Sequence, residues 1–204
     1  MSKLLLYCNK AKPYLYDLRN VMGIFGGYNV KQTHLDLLLL NGKIVAECDF
    51  EVEEIDFASE RFYENDIEKY NIEINKQNEL LKRSCLTATQ IVCYLDKKGK
   101  EQTNLKGYAI HIKNLHIFDK PKELSDYYKF DGIYNDINNW KAIDKAPQNM
   151  MYAYDLISEL GFSGTYNMHL KKNILISIQS QWMCLILNRI KDVEVRKAVL
   201  KEMK

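Results

Sequence analysis

The chain has 204 residues, of which 47% are hydrophobic and three are proline, so it is long enough for a full core and excludes a largely disordered polypeptide. Its net charge of +2 divides unevenly: residues 1–46 carry +4, 47–79 carry −9, 80–159 carry +2 and 160–204 carry +5. Basic ends around an acidic insert leave nucleic acid open as a partner, but no segment has the charge density of a dedicated basic arm.

The five cysteines (Cys8, Cys48, Cys85, Cys93, Cys184) form an odd set without a CxxC pair, the pattern of reduced thiols in a cytoplasmic protein. Leu4-Leu5-Leu6 is too short for a signal peptide, and no apolar run is long enough for a transmembrane helix.

In chain order, residues 3–8 read as a buried first strand, and Asn9 to Pro13 break it. Residues 37–40 are a second apolar run, closed by the hairpin dipeptide Asn41-Gly42. Residues 43–55 alternate cleanly, with Ile44, Ala46, Cys48, Phe50 and Val52 on one side and Glu47, Asp49, Glu51 and Glu53 on the other. Carboxylates two residues apart on a strand stand about 7 Å apart, so the acidic row reads as a solvated face and not as a metal site. Residues 56–83 are polar and acidic, the composition of an inserted loop with some helix. Thr87 and Gln90 have capping-box spacing for a helix burying Ile91, Tyr94 and Leu95.

Residues 107–124 form the most informative stretch. Tyr108, Ile110 and Ile112 alternate with Ala109, His111 and Lys113, after which Leu115 and Ile117 fall out of phase. A one-residue slip moves side chains to the other face, which predicts a bulge at Lys113-Asn114 in a long curved strand ended at Pro121. Residues 146–154 read as a turn into a last strand, and residues 161–164 as a boundary. Beyond it, Leu170, Ile174, Ile178, Trp182 and Leu185 share one helical face, and Ile186 widens the stripe. Asp192 has the position of an N-cap for a final helix with Val195, Val199 and Met203 on its apolar side. Such helices are either sandwiched within their own protein or shared with another chain; the favoured expectation is an interface, with Ile174, Ile178, Trp182, Leu185 and Ile186 making a homodimer.

Taken together, LLLYCNKAKP at 4–13, NGKIVAECDFEVEEI at 41–55, CLT at 85–87, GYAIHIKNLHIFDKPKEL at 107–124 and KAPQNMMYAYD at 145–155 give the chain a resemblance to a known family. It resembles the ASCH group of PUA-like β-barrel domains, in the form found in uncharacterised clostridial-type prophage proteins. The resemblance implies an α+β protein: a small PUA-like barrel over residues 1–157 with an acidic insert at 56–83, and a C-terminal helical appendage over 158–204. It further implies a cleft suited to RNA or a modified nucleotide. Some members are similar to amidohydrolases that use a lysine, a threonine and an acidic residue within a Gly-Lys-Lys-Thr-type turn and a downstream Glu-x-Arg. The equivalent region here, residues 11–27, contains neither element, so non-catalytic binding is the first expectation, with a degenerate nucleoside amidohydrolase as a further reading.

The expected ligand-binding residues are those the barrel would bring to one mouth: Asn9, Lys10 and Lys12, Lys120 and Lys122, then Gln148, Asn149 and Tyr152. Lysines suit phosphates, a tyrosine ring suits stacking and amides suit base edges. An alternative expectation is a phage effector that binds or sequesters a host-defence component. No cofactor is implied, because Walker, GxGxxG and GxSxG motifs are missing from the sequence. His111 and His116 stand without the neighbouring cysteines of a zinc set, so no metal site is expected.

Overall fold

The computed structural model describes residues 2–9, 42–64, 67–72, 77–96, 104–130, 139–160 and 166–203, with the backbone alone at 57–64, 67–72, 77–78, 104–105, 156–160 and 166–170. The described elements are β1 (Leu4–Cys8), β2 (Ile44–Glu64), β3 (Ile67–Ile72), α1 (Gln77–Ser84), α2 (Ala88–Leu95) and β4 (Asn104–Lys122). They continue with β5 (Tyr128–Phe130), β6 (Trp140–Ala142), β7 (Met150–Leu160), β8 (Tyr166–Ile178), α3 (Ser180–Leu187) and β9 (Val193–Arg196). The protein is a mixed α+β fold, and contacts divide it into two units. The first holds residues 1–49 and 114–184, the second residues 50–113 and 185–204.

In the first unit the strand order is β6-β5-β7-β8-β1-β2-β4. All five residues of the Leu-rich β1 are buried, because it is flanked by β2 on one edge and by β8 on the other. β1 runs parallel to β8, Leu4 opposite Ile174 through Cys8 opposite Ile178. A strand with neighbours on both edges and cover on both faces needs a continuous apolar run, as Leu4-Leu5-Leu6 supplies. β7 and β8 form the longest described hairpin, paired from Met150 opposite Ile176 to Leu160 opposite Tyr166. Leu5, Tyr7, Ile44, Tyr127, Ile143, Ala153 and Leu175 make one core cluster, with Phe118 packed against it.

In the second unit β4 carries β9 on one side and β2 on the other, and β3 pairs β2. Ile55, Leu80, Ile91, Val92, Leu95, Ala109, Val193 and Val195 form its core. The expected capping box is present: Thr87 Oγ1 accepts from the Gln90 N–H at 3.2 Å, and Gln90 Oε1 accepts from the Thr87 N–H at 2.9 Å. Val92 is buried where Tyr94 was expected, and Tyr94 is 39% exposed beneath Lys197. α1 ends on Cys85 (φ 54), with Leu86 N–H donating to Leu81 and Cys85 N–H to Lys82. These two bonds are a Schellman closure made without glycine. Gly107 opens the apolar stretch of β4 where a Cβ would stand 2.8 Å from Leu95 Cδ2 and 3.1 Å from the Arg196 carbonyl.

The acidic row of β2 is paired and not simply solvated. In the first unit Glu47 faces His116 at 3.8 Å, and Asp49 accepts from Asn114 at 2.8 Å and from Lys3 at 2.6 Å. In the second, Glu51 pairs with Lys113 and Glu53 with His111 at 3.0 Å. Carboxylates two apart on β2 are thus met by two adjacent residues of β4, Asn114 and Lys113. Asn114 has φ 48, a conformation asparagine tolerates better than most residues. The expected bulge lies there.

Four expectations are corrected. The sheet is not closed into a barrel: in the first unit β6 and β4 stand at the two ends of an open strand order. Residues 56–72 are not a loop, since β2 continues to Glu64 and pairs with β3, Ser59 opposite Ile72 through Glu64 opposite Ile67. The stretch from Leu170 is not one helix, because it is β8 up to Ile178 and helical only over Ser180–Leu187. Ile174, Ile178, Leu185 and Ile186 are therefore already covered by their own chain, and Trp182 is half-buried. Asp192 caps no helix; it holds Arg83 through contacts of 2.9 to 3.2 Å and precedes β9. The boundary expected at 161–164 and the Asn41 half of the hairpin turn lie outside the described residues. Among the described residues no helix is long and apolar enough to cross a membrane.

Lys191 is a buried and fully engaged charge of the second unit. Its side chain is 1% exposed, and Nζ donates to the carbonyls of Ser84 at 2.6 Å and Val193 at 2.7 Å and lies 3.3 Å from Glu194. Glu194 also holds Arg196 at 3.0 Å. Lys191→Met is expected to destabilise the protein by about 3 kcal/mol, because it leaves buried acceptors without their donor. Urea denaturation checks this, and a midpoint equal to that of the parent contradicts it.

Asp49 gives a pH dependence. Hydrogen bonds from Lys3 and then Asn114 hold its carboxyl below the usual carboxylate range. A carboxylate depressed on folding stabilises above its unfolded value of about 3.9, and that contribution is lost as pH falls through the lower folded value. Asp49→Asn is therefore expected to lose less stability than the parent between about pH 6 and about pH 3. Parallel acid limbs in denaturant titrations of the two proteins would contradict the assignment.

Candidate functional site

The expected site residues are strand-end residues, and several do meet at one end of the first unit's sheet. Asn9 is exposed just past β1, and its N–H donates to the Ile178 carbonyl at 2.8 Å. Gly42, at φ 81, returns the chain there, donating its N–H to the Cys8 carbonyl, while the Cys8 N–H donates to Lys43. The Asn149 carbonyl accepts from Ser177 at 3.1 Å, next to the exposed Gln148. Lys43 forms an ion pair with Glu123, which brings the end of β4 to the same place. Asn9, Gln148 and Asn149 are thus neighbours through β1, β7 and β8.

The lysines fare differently. Lys120 is exposed. Lys122 turns into its own unit, donating to Tyr127 Oη at 3.3 Å and lying 4.5 Å from the Phe118 ring centroid. Burial pushes the Tyr127 hydroxyl up from its ordinary value, so the residue stays a neutral partner of that lysine. Lys10 and Lys12 lie outside the described residues. Tyr152 stands apart from the strand ends, two residues into β7 and directly opposite Ile174.

Tyr152 belongs to a different group, which the sequence did not single out. Ala153 points into the core cluster, so Tyr152 and Tyr154 point to the other face of β7. Tyr128 of β5 is opposite both Tyr154 of β7 and Ala142 of β6. Phe130 and Trp140 are opposite one another, and alternation along the strands puts them on the side of Tyr128. The Phe130 and Trp140 centroids are 5.1 Å apart, and the Trp140 and Tyr154 centroids 4.6 Å apart with planes at 77°. Lys172, opposite Tyr154 on β8, carries its ammonium 4.1 Å from the Tyr152 ring centroid. Five half-buried rings and one lysine therefore share one face of β5, β6, β7 and β8.

Such a face can offer ring surfaces edged by positive charge. Offset and edge-to-face ring pairs are held by quadrupole attraction, and a cation over a ring adds a further electrostatic term. The same surfaces accept a planar base by stacking. The sequence signal was the alternation in Tyr128-Lys129-Phe130 and Trp140-Lys141-Ala142, too short in each case to read as a strand without its partner.

Among the described residues, nucleophile and metal chemistry find no comparable arrangement. Burial first, and for Cys8 the neighbouring Cys184 thiol second, push the Cys8 and Cys48 thiols up to about 12. A thiol so raised stays protonated and unreactive at neutral pH. His111 and His116 are each engaged with one glutamate, and no group of three metal-ligating side chains occurs among the described residues.

Compared with protein-family models, with curated proteins and with solved structures, the chain matches none. The ASCH resemblance stands on its sequence motifs alone.

Iodoacetamide at neutral pH is expected to modify the exposed Cys93 in the folded protein, and Cys8 and Cys48 only after denaturation. Peptide mass spectrometry reads the order of labelling; early alkylation of Cys8 contradicts the burial argument.

Proposed function

We propose that the protein is a non-catalytic binding protein for single-stranded RNA or a modified nucleotide, which it holds by stacking bases on the aromatic face of β5, β6 and β7. The observation that carries this reading is the Phe130–Trp140–Tyr154 cluster, joined by Tyr152 with Lys172 over its ring. Half-buried rings crowded on one sheet face supply stacking surface, and a lysine beside them supplies charge for a phosphate. The reading keeps the ligand class that the ASCH resemblance implies, and moves it from a barrel cleft to a sheet face. The amides of Asn9, Gln148 and Asn149, at the end of the same sheet, are candidates for base-edge hydrogen bonds. The homodimer expectation named five contact residues, and four of them are buried in their own chain.

Fluorescence anisotropy with labelled oligouridylate at low salt tests the proposal. The parent protein is expected to bind, and Trp140→Ala to weaken binding by about 1–3 kcal/mol, the usual worth of one stacked base. Tyr154→Ala is expected to act in the same direction. Absence of binding by the parent protein at low salt, or full affinity in the double variant, would rule the reading out.

A further inference from the structure

The β5–β6 ribbon offers four side-chain positions to the aromatic face: Tyr128 and Phe130 on β5, Trp140 and Ala142 on β6. Three carry rings, and the fourth is the exposed Ala142, opposite Tyr128, whose methyl group leaves that corner open. The rings do not lie flat against one another. Phe130 is inclined to Trp140 by 56° and Trp140 to Tyr154 by 77°, at centroid separations of 5.1 and 4.6 Å. A planar base lying parallel to one such ring meets its neighbour at a steep angle.

Inclined rings favour charge over contact area. Stacking needs parallel planes, whereas a cation is attracted to any ring face it lies over, and several inclined faces can act on one charge. Lys172 shows that preference within the protein, with its ammonium 4.1 Å from the Tyr152 ring centroid. The ammonium lies over β7, and β6 stands two strand spacings away, about 10 Å. Exposed charges so far apart are largely screened at physiological salt, so Lys172 does not exclude a second cation at Trp140. No carboxylate stands among the described strand positions of this face from β5 to β8. A cation suited to it needs no hydrogen-bond acceptor, which describes an alkylated nitrogen and not a protonated one.

The geometry points to a nucleotide whose base is made cationic by N-methylation, held with its charged ring among Phe130, Trp140 and Tyr154. This rests on the stacking reading above and deepens it by naming the kind of modified base the face prefers. Methylation of a ring nitrogen such as N1 of adenine gives the base a positive charge and leaves it flat. The methylated nitrogen carries no N–H, so it asks for no acceptor from a face that has no carboxylate to give. Neutral bases still stack on one ring, which makes them weaker ligands of the same site.

The test compares two isomers by calorimetric titration of the full chain: 1-methyladenosine monophosphate, cationic at neutral pH, and the neutral N6-methyladenosine monophosphate. Both carry one methyl group and one phosphate, so their difference reads the charge on the base. The 1-methyl isomer is expected to bind about tenfold more tightly. Trp140→Phe, which keeps a ring with a weaker hold on cations, is expected to bind both isomers with that ratio cut to about threefold. A ratio is unmoved by a general loss of folded protein, so the variant reports on the ring and not on the stability of the ribbon. Equal affinity for the isomers, tighter binding of the neutral one, or an unchanged ratio in Trp140→Phe overturns the cationic-base inference and leaves stacking intact. Failure of every nucleotide, oligouridylate included, to bind the parent protein overturns both, even where a trimethyllysine peptide binds instead.

Discussion

The pairing of β2 with β4 is the constraint on which both units depend. β2 carries Glu47, Asp49, Glu51 and Glu53 along one side, an arrangement in which neighbouring carboxylates repel. The row is tolerable because β4 presents His116, Asn114, Lys113 and His111 to it, and Lys3 adds a second donor to Asp49. Each exposed pair contributes little alone, because solvent screens it. Their collective effect is on register: a slip by one residue would place these carboxylates on the apolar side of both strands. The charges therefore specify the alignment more than they stabilise it.

Register and bulge are connected. Ahead of Asn114, Ala109 packs into the second unit's core; beyond it, Phe118 packs against the first unit's. An odd and an even position can both point toward the side of the acidic row only if one residue between them is taken out of the alternation. Asn114 does this at φ 48, where a β-branched residue would be strained. The contact division falls at the same residue on β4 and at Asp49 on β2, which are hydrogen-bonded to each other.

The legibility of these elements follows from how local their determinants are. The bulge was readable because Leu115 and Ile117 break an otherwise regular alternation, and the α2 cap because Thr87 and Gln90 satisfy each other within four residues. The C-terminal third misled because a spacing of four keeps Leu170, Ile174 and Ile178 on one face of a helix and equally on one face of a strand. The alternating isoleucines Ile174, Ile176 and Ile178 were the better guide, and they lie in the part that pairs with β1. Val193-Glu194-Val195-Arg196 alternates like a strand, yet Asp192 before it imitates a cap. The β2–β3 hairpin was hidden by its polarity, since no apolar face marks residues 59–64 and 67–72 as paired. For the candidate site, the strand-end residues rest on the barrel resemblance, and the structure brings Asn9, Gln148 and Asn149 to one end of the first unit's sheet. The aromatic face was not legible, because its rings come from three separated strands and its lysine from a fourth, and only cross-strand register unites them.

That face also has a structural duty, which bears on how a ligand would act on it. β5 and β6 pair over only three residues each, a ribbon too short for backbone hydrogen bonds alone to hold. The Phe130–Trp140 contact joins the two strands, and the Trp140–Tyr154 contact ties β6 across β5 to β7. The rings that would stack bases are thus the ones that keep β6 on the sheet. Lys129 lies opposite Lys141 in the same ribbon and is held by Asp144. A base stacked on these rings would add to the contacts that hold β6, so binding and ribbon order would rise together.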